Sequence, residues 1–165
     1  MARSPKQKKQ AKEGGDRLVS KNRRAFFDYE VGELLEAGLV LLGSEVRSLR
    51  ENSADLVDAW VDITQRGEAW VKGMRIPPLK HAAFGHEEKR ARKLLLHKEQ
   101  IDRLRGASVR DGMTLIVTKC YFKQNRVKIE LAQARGRKKY DKRQALKARD
   151  ADKEAWTAVR NARRG

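Results

Sequence analysis

The chain has 165 residues, enough for one domain with a real core plus tails and short for two full domains. Its 39 Lys and Arg stand against 22 Asp and Glu, a formal net charge of +17 that suits a polyanionic partner. No stretch approaches the roughly 18 apolar residues that a membrane span needs, which excludes a helical membrane protein.

Residues 1–24 carry 9 basic and 2 acidic side chains, and residues 135–165 carry 12 basic and 4 acidic. Residues 25–134 are nearly balanced, with 18 basic and 16 acidic. The pattern is a globular middle between two basic arms, and blocks of like charge repel themselves until a polyanion neutralises them. The basic start of the chain has no apolar block and no small-residue cleavage site behind it, so it does not read as a secretory signal, and a cytoplasmic location is expected.

Lys21-Asn22-Arg23-Arg24 runs into Phe26, Phe27 and Tyr29, which sets phosphate-pairing cations beside rings on which bases can stack. Phe26 to Leu34 and Gly38 to Leu42 read as strands of a curled hairpin, with Gly32 and Gly38 marking bends or bulges. Ser44 suits the N-cap of a short helix through Val46 and Leu49 that ends near Asn52 and Ser53. Val57, Ala59, Val61 and Ile63 alternate with Asp58, Trp60 and Asp62, a period of two that predicts a strand over Leu56 to Ile63.

Gln65-Arg66-Gly67-Glu68 supplies a turn, and Ala69 to Ile76 returns as a strand until Pro77-Pro78 stops it. Glu87 to Leu104 reads as a helix with acidic residues in its first turn and Gly106 at its end. In such a helix Leu94, Ile101 and Leu104 share a stripe, and Leu95 and Leu96 lie about 100° and 200° away from it. One leucine of the three is then exposed, unless a break turns all of them inward. Met113 to Phe122 and Val127 to Ala134 flank Lys123-Gln124-Asn125-Arg126 as a third hairpin.

About six short strands with one intercalated helix fit a mainly β fold, a small barrel of the oligonucleotide-binding (OB-fold) type, with a sandwich as the alternative. Read as a helix from Asp141, the C-terminal arm puts Lys142, Arg149, Lys153, Arg160 and Arg164 within about 60° of arc, with Ala148, Ala151, Ala155, Ala158 and Ala162 behind them. So thin an apolar back predicts a tail that is ordered only on an anionic surface, with Gly136 as a flexible joint.

Catalytic chemistry finds no purchase. His81, His86 and His97 lack zinc spacing, the lone Cys120 sits in an apolar run, and no phosphate loop or nucleophile elbow occurs. No catalytic residue, cofactor, metal or small-molecule substrate is assigned, and a non-enzymatic binder is expected.

Several blocks in order resemble the small protein B family, the SsrA-binding proteins of bacterial trans-translation. They are Asn22-Arg23-Arg24, Glu36-Ala37-Gly38, Gly43-Ser44-Glu45-Val46-Arg47-Ser48-Leu49-Arg50, Arg92-Lys93-Leu94-Leu95-Leu96, Tyr121-Phe122-Lys123 with Arg126-Val127-Lys128, and Gly136-Arg137-Lys138-Lys139 followed by Asp141-Lys142-Arg143. The resemblance implies a barrel that grips the tRNA-like domain of transfer-messenger RNA, and a tail that enters the empty decoding site and messenger channel of a stalled ribosome.

It also implies that Asn22, Glu36 and Leu95 matter for RNA binding, and Arg23, Arg24, Lys93, Lys123 and Lys128 are assigned to the RNA with them. Gly136, Arg137, Lys138, Lys139, Tyr140, Asp141, Lys142, Arg143, Arg149, Lys153 and Arg160 are assigned to the ribosome. The expected organisation is a disordered arm over 1–20, the barrel over 21–134, and a tail over 135–165 that is disordered when free and helical on the ribosome. Phe27 and Tyr140 stand where the family commonly has histidine, so neither can carry an imidazolium charge. The competing reading is a structural ribosomal or nucleoid protein whose basic arms thread permanently through nucleic acid.

Overall fold

The computed structural model describes residues 16–81 and 85–163, and within α4 it describes the backbone but not the side chains of residues 139–141. The expected arm over 1–20 lies mostly outside the described residues, as does Arg164 of the cation stripe. Arg17–Lys21 is strand β1, so four residues assigned to the arm belong to the sheet.

Two long strands carry the fold. β6 (Thr114–Lys123) and β7 (Arg126–Gly136) form the expected hairpin through Gln124 and Asn125, both at positive φ (50° and 63°) as a tight two-residue turn demands. β7 pairs along its other edge with β2 (Tyr29–Leu39). The ring is completed by β3 (Trp60–Ile63), β4 (Ala69–Lys72) and β5 (Arg92–Leu95), in the order β6-β3-β4-β5-β2-β7-β6, with β1 added on β6. Closure is uneven, since β3 meets β6 at a single register pair, Trp60 with Ile116, and β2 meets β5 at two. This is a mainly antiparallel, closed small barrel, the expected OB-type class.

The expected hairpin across residues 26–42 is replaced by one helical turn, α1 (Ala25–Asp28), and the single eleven-residue strand β2. Its register slips between Val31 and Leu34, so Gly32 bulges the strand without turning it. Helix α2 (Gly43–Glu51) starts one residue before Ser44, and Leu42 holds the cap position. Its backbone N–H donates to Glu45 Oε2 at 2.8 Å, while the Ser44 hydroxyl meets His86 Nδ1 at 3.1 Å.

The helix expected over 87–104 is the largest departure. Residues 92–95 are strand β5, and helix α3 (Lys98–Arg110) starts afterwards and runs through Gly106. The core fills the ring with Leu49, Leu56, Val71, Met74, Ile129 and Leu131, each at most 2 % exposed. Cys120 is buried there as expected, and burial pushes its thiol up to about 12.

Across the ring from the hairpin, a buried ion pair joins α2 to β5. Glu45 and Arg92 are both 0 % exposed, with Arg92 Nε donating to Glu45 Oε1 at 2.8 Å. Arg90 donates to the same carboxylate at 2.8 and 3.2 Å, and Arg92 donates further to the Met74 and Glu88 carbonyls. No buried side-chain N or O among the described residues lacks a partner.

The C-terminal segment is α4 (Lys139–Ala162). Gly136, expected as a joint, is the last rung of β7 opposite Tyr29, so the linker narrows to Arg137 and Lys138. The Arg137 N–H donates to the Asp28 carbonyl and Lys142 Nζ lies 3.5 Å from the Asp28 carboxylate, tying the first turn of α4 to α1. From Leu146 to Arg163 every residue is exposed.

Candidate nucleic-acid interface

Strand alternation, not helical offset, is what exposes Leu95. In β5 the side chains of Arg92 and Leu94 point inward, while Lys93 and Leu95 face out, and Leu95 is 58 % exposed. Gly38 of β2 sits opposite Leu95 in register. A Cβ at Gly38 would stand 3.2 Å from Leu95 Cβ, so the missing side chain lets Leu95 lie flat over the ladder. Around them a groove of about 280 Å³ is lined by Leu39, Leu41, Val46, Asn125, Arg126 and Lys128.

Glu36 lies two residues before Gly38 on the same face of β2. Tyr121 of β6 donates its hydroxyl to Glu36 Oε2, and Lys123 Nζ lies 3.3 Å from both carboxylate oxygens. The Tyr121 hydroxyl is the main reason that the carboxyl is held below its ordinary value; burial opposes it, and Lys123 and Lys128 add to it. Tyr121 itself is pushed upward, first by burial and then by Glu36, so it remains a donor. Leu95, Glu36, Lys123 and Lys128 thus share one outward surface. Lys93 belongs to its border, where its ammonium is 3.0 Å from Glu68.

A second cationic region lies at the root of α4. Lys21, Arg23, Phe26, Phe27, Arg137 and Arg149, with Ala145 and Ala148, line a cleft of about 500 Å³. Both rings therefore face one cleft, because the α1 turn replaces the strand that would have sent them to opposite faces. Lys21 Nζ stands 5.8 Å from the Phe26 ring centroid. Arg24 is exposed beside them and its guanidinium pairs with Asp28 at 3.1 Å.

Asn22 is not on either surface. It is 5 % exposed, its amide donates to the carbonyls of Leu56 (3.0 Å) and Val117 (3.2 Å), and its Oδ1 accepts from the Ala25 N–H (3.1 Å). Both amide hydrogens of this side chain are taken by backbone carbonyls, and the bonds fix the turn that presents Arg23 and Arg24.

In the tail, Lys138 is the residue before α4, and Lys139, Tyr140 and Asp141 are helical with side chains outside the described set. Arg143 is exposed, and Lys142, Arg149, Lys153 and Arg160 fall on one stripe of α4. Two residues went unassigned in the sequence. Tyr121 was visible only inside a motif, since nothing local links it to Glu36, 85 residues away. Trp156, 77 % exposed, stands three residues after Lys153 and four before Arg160, a spacing that sets it on the flank of the cation stripe.

A closed β-barrel with a cationic, partly apolar outer face and a basic helical extension defines the class: a small barrel protein built to meet a polyanion. The chain belongs to the SmpB protein family, whose model matches residues 19–161. It is 45 % identical over 151 residues to the SsrA-binding protein of Sorangium cellulosum (strain So ce56), covering 92 % of this chain and 93 % of that one. Identity to the SsrA-binding protein of Mycobacterium leprae (strain Br4923) is 47 % over 156 residues, with coverage of 93 % and 92 %. A solved structure described as "tmRNA-SmpB: a journey to the center of the bacterial ribosome" matches with a TM-score of 0.63 and 36 % identity, over 78 % of this chain and 94 % of that one.

Proposed function

We propose that this chain is an RNA-binding escort that grips the tRNA-like domain of transfer-messenger RNA and delivers it to stalled ribosomes for trans-translation. The barrel face of Leu95, Glu36, Lys123 and Lys128 is the RNA surface, and α4 enters the empty decoding site and messenger channel of the small subunit. The chain works by binding and positioning, with no catalytic step of its own, in the cytoplasm, where its ribosomal partner is. The observation that carries the barrel's role is Leu95, 58 % exposed over a groove that Leu39, Leu41 and Val46 share with Arg126 and Lys128, so that apolar and cationic groups meet on one outward face. Membership in the SmpB family and likeness to SsrA-binding proteins support the choice of RNA.

Leu95→Asp tests it. Replacing an exposed leucine leaves the melting temperature close to that of the parent, while affinity for the tRNA-like RNA falls at least tenfold. Loss of the fold would instead mean that Leu95 is core. RNA copurifying with the chain should be transfer-messenger RNA, and at matched salt the chain should prefer it to duplex DNA. Equal binding to both would favour a structural nucleic-acid-threading protein.

A further inference from the structure

Glu36 is a carboxylate on a face that meets a polyanion, which adds repulsion unless its charge is offset and its lone pairs are used. It stands on β2 opposite Glu130 of β7 and reaches across β7 to β6. There Tyr121 donates to Oε2 and Lys123 lies 3.3 Å from both oxygens. Lys128, the register partner of Tyr121 and of Gly38, adds a second positive charge nearby. Glu130, the other carboxylate in this neighbourhood, is occupied by Thr118 and Lys119.

A carboxylate has about four lone-pair sites. Tyr121 and Lys123 engage part of them, and the Glu36 side chain keeps 37 % of its surface in solvent, so acceptor capacity remains open to a ligand. The phenol fixes one oxygen, and the ammonium offsets the charge without withdrawing the group from the surface.

We propose that Tyr121 is a positioning residue that, with Lys123, fixes the Glu36 carboxylate as an acceptor fork for hydrogen-bond donors of an unpaired RNA nucleotide. The inference rests on the reading of this face as the RNA surface. Two sources offer such donors. The Watson–Crick edge of an unpaired guanine presents N1–H and N2–H side by side, matching two carboxylate oxygens, and the ribose 2′-hydroxyl presents one. Both chemistries distinguish a nucleotide from its phosphate, so the fork supplies selection where the surrounding lysines supply only attraction.

The test is a matrix of affinities, at one salt concentration, between the full chain and a transcript of the tRNA-like domain. Tyr121→Phe keeps the ring and its packing and removes only the donor, while Glu36→Gln removes the charge. Each is expected to weaken binding about tenfold, and the double variant is expected to bind no worse than Glu36→Gln alone. In the free protein, an NMR titration should show the Glu36 carboxyl moving upward in Tyr121→Phe, a change that a merely structural role would not produce. Transcripts with inosine at loop guanines, or deoxyribose at the same positions, should lose affinity for the parent chain and not for Glu36→Gln, and whichever arm does so names the donor. If Glu36→Gln binds like the parent while Leu95→Asp does not, the RNA-face reading stands and the acceptor fork is overturned; if both bind like the parent, the RNA-face reading itself fails. If Glu36→Gln weakens binding but Tyr121→Phe changes neither affinity nor the Glu36 titration, that reading stands and the positioning role is overturned. If neither transcript distinguishes the parent from Glu36→Gln, the donor fork is overturned.

Discussion

Asn22 and Leu95 carry the same family expectation of importance for RNA, and the barrel assigns them opposite physics. Asn22 spends both amide hydrogens and one acceptor site on backbone groups of three segments. Asn22→Ala takes the acceptor from the Ala25 N–H and a donor from the Val117 carbonyl in a site that is 5 % exposed, while the Leu56 carbonyl keeps the Ala59 N–H, and leaving a buried polar group unmet costs about 1–3 kcal/mol. The variant is expected to lose several degrees of melting temperature together with RNA affinity, whereas Leu95→Asp loses affinity alone. A variant at Asn22 that melts like the parent yet fails to bind RNA would restore a direct contact. That one leucine of Leu94-Leu95-Leu96 faces outward was legible in the sequence, but on the premise of a helix where the structure has a strand. The helical offset sends one of the three leucines outward without choosing between Leu95 and Leu96, and the family resemblance chose Leu95, which the strand alternation of β5 exposes.

At the scale of elements, the Glu45–Arg92 pair explains both the misreading and the stability of β5. Arg92 faces the core and Lys93 faces out, so the four residues alternate inside and outside while their letters show two cations followed by two leucines. A buried arginine hides a period of two, and the groups that make the burial tolerable, Glu45, which lies 47 residues earlier, and the Met74 and Glu88 carbonyls, are not visible beside it in the pattern. The β6–β7 hairpin, by contrast, was plain because its two strands are long, apolar and joined by a short polar turn. Burial alone would raise the Glu45 carboxyl, but Arg90, the Leu42 amide and Arg92 outweigh it and hold the group below its ordinary value of 4.5. Burial pulls Arg92 downward and Glu45 opposes that pull. A depressed carboxyl contributes stability that is fully present above its unfolded value and is lost as pH falls through the folded one. Glu45→Gln leaves Arg92 without its counter-charge and is expected to cost about 3–5 kcal/mol at neutral pH. Melting curves of parent and variant should differ most near pH 7 and converge as the pH drops below 4.5. A gap that stays constant with pH would mean that the ion pair adds shape and no net electrostatic stability.

On the scale of the whole molecule, charge and architecture divide the work between two bodies. Residues 25–134 are nearly neutral in total, with 18 basic and 16 acidic side chains, while residues 135–165 carry 12 basic against 4 acidic. Among the described residues, helix α4 meets the barrel through Lys142 beside Asp28 and through Ala145, Ala148 and Arg149 at the cleft of Phe26 and Phe27, and every residue after Arg149 up to Arg163 is exposed. A helix that packs so little of its length against the barrel is free to dock elsewhere, which suits the ribosomal role proposed for it. Reversing Lys142, Arg149, Lys153 and Arg160 to Glu should therefore leave the affinity of the barrel for the tRNA-like RNA within a few-fold of the parent and abolish the tagging of stalled peptides. A chain shortened after Arg137 should behave the same way in both assays. One residue inserted after Asp141 turns the stripe by about 100° against the Asp28 anchor and should also stop tagging, although it changes no charge. If tagging survives the insertion but not the charge reversal, α4 acts as a flexible reservoir of positive charge; if it survives both, the ribosomal contact is made by the barrel and the tail is dispensable.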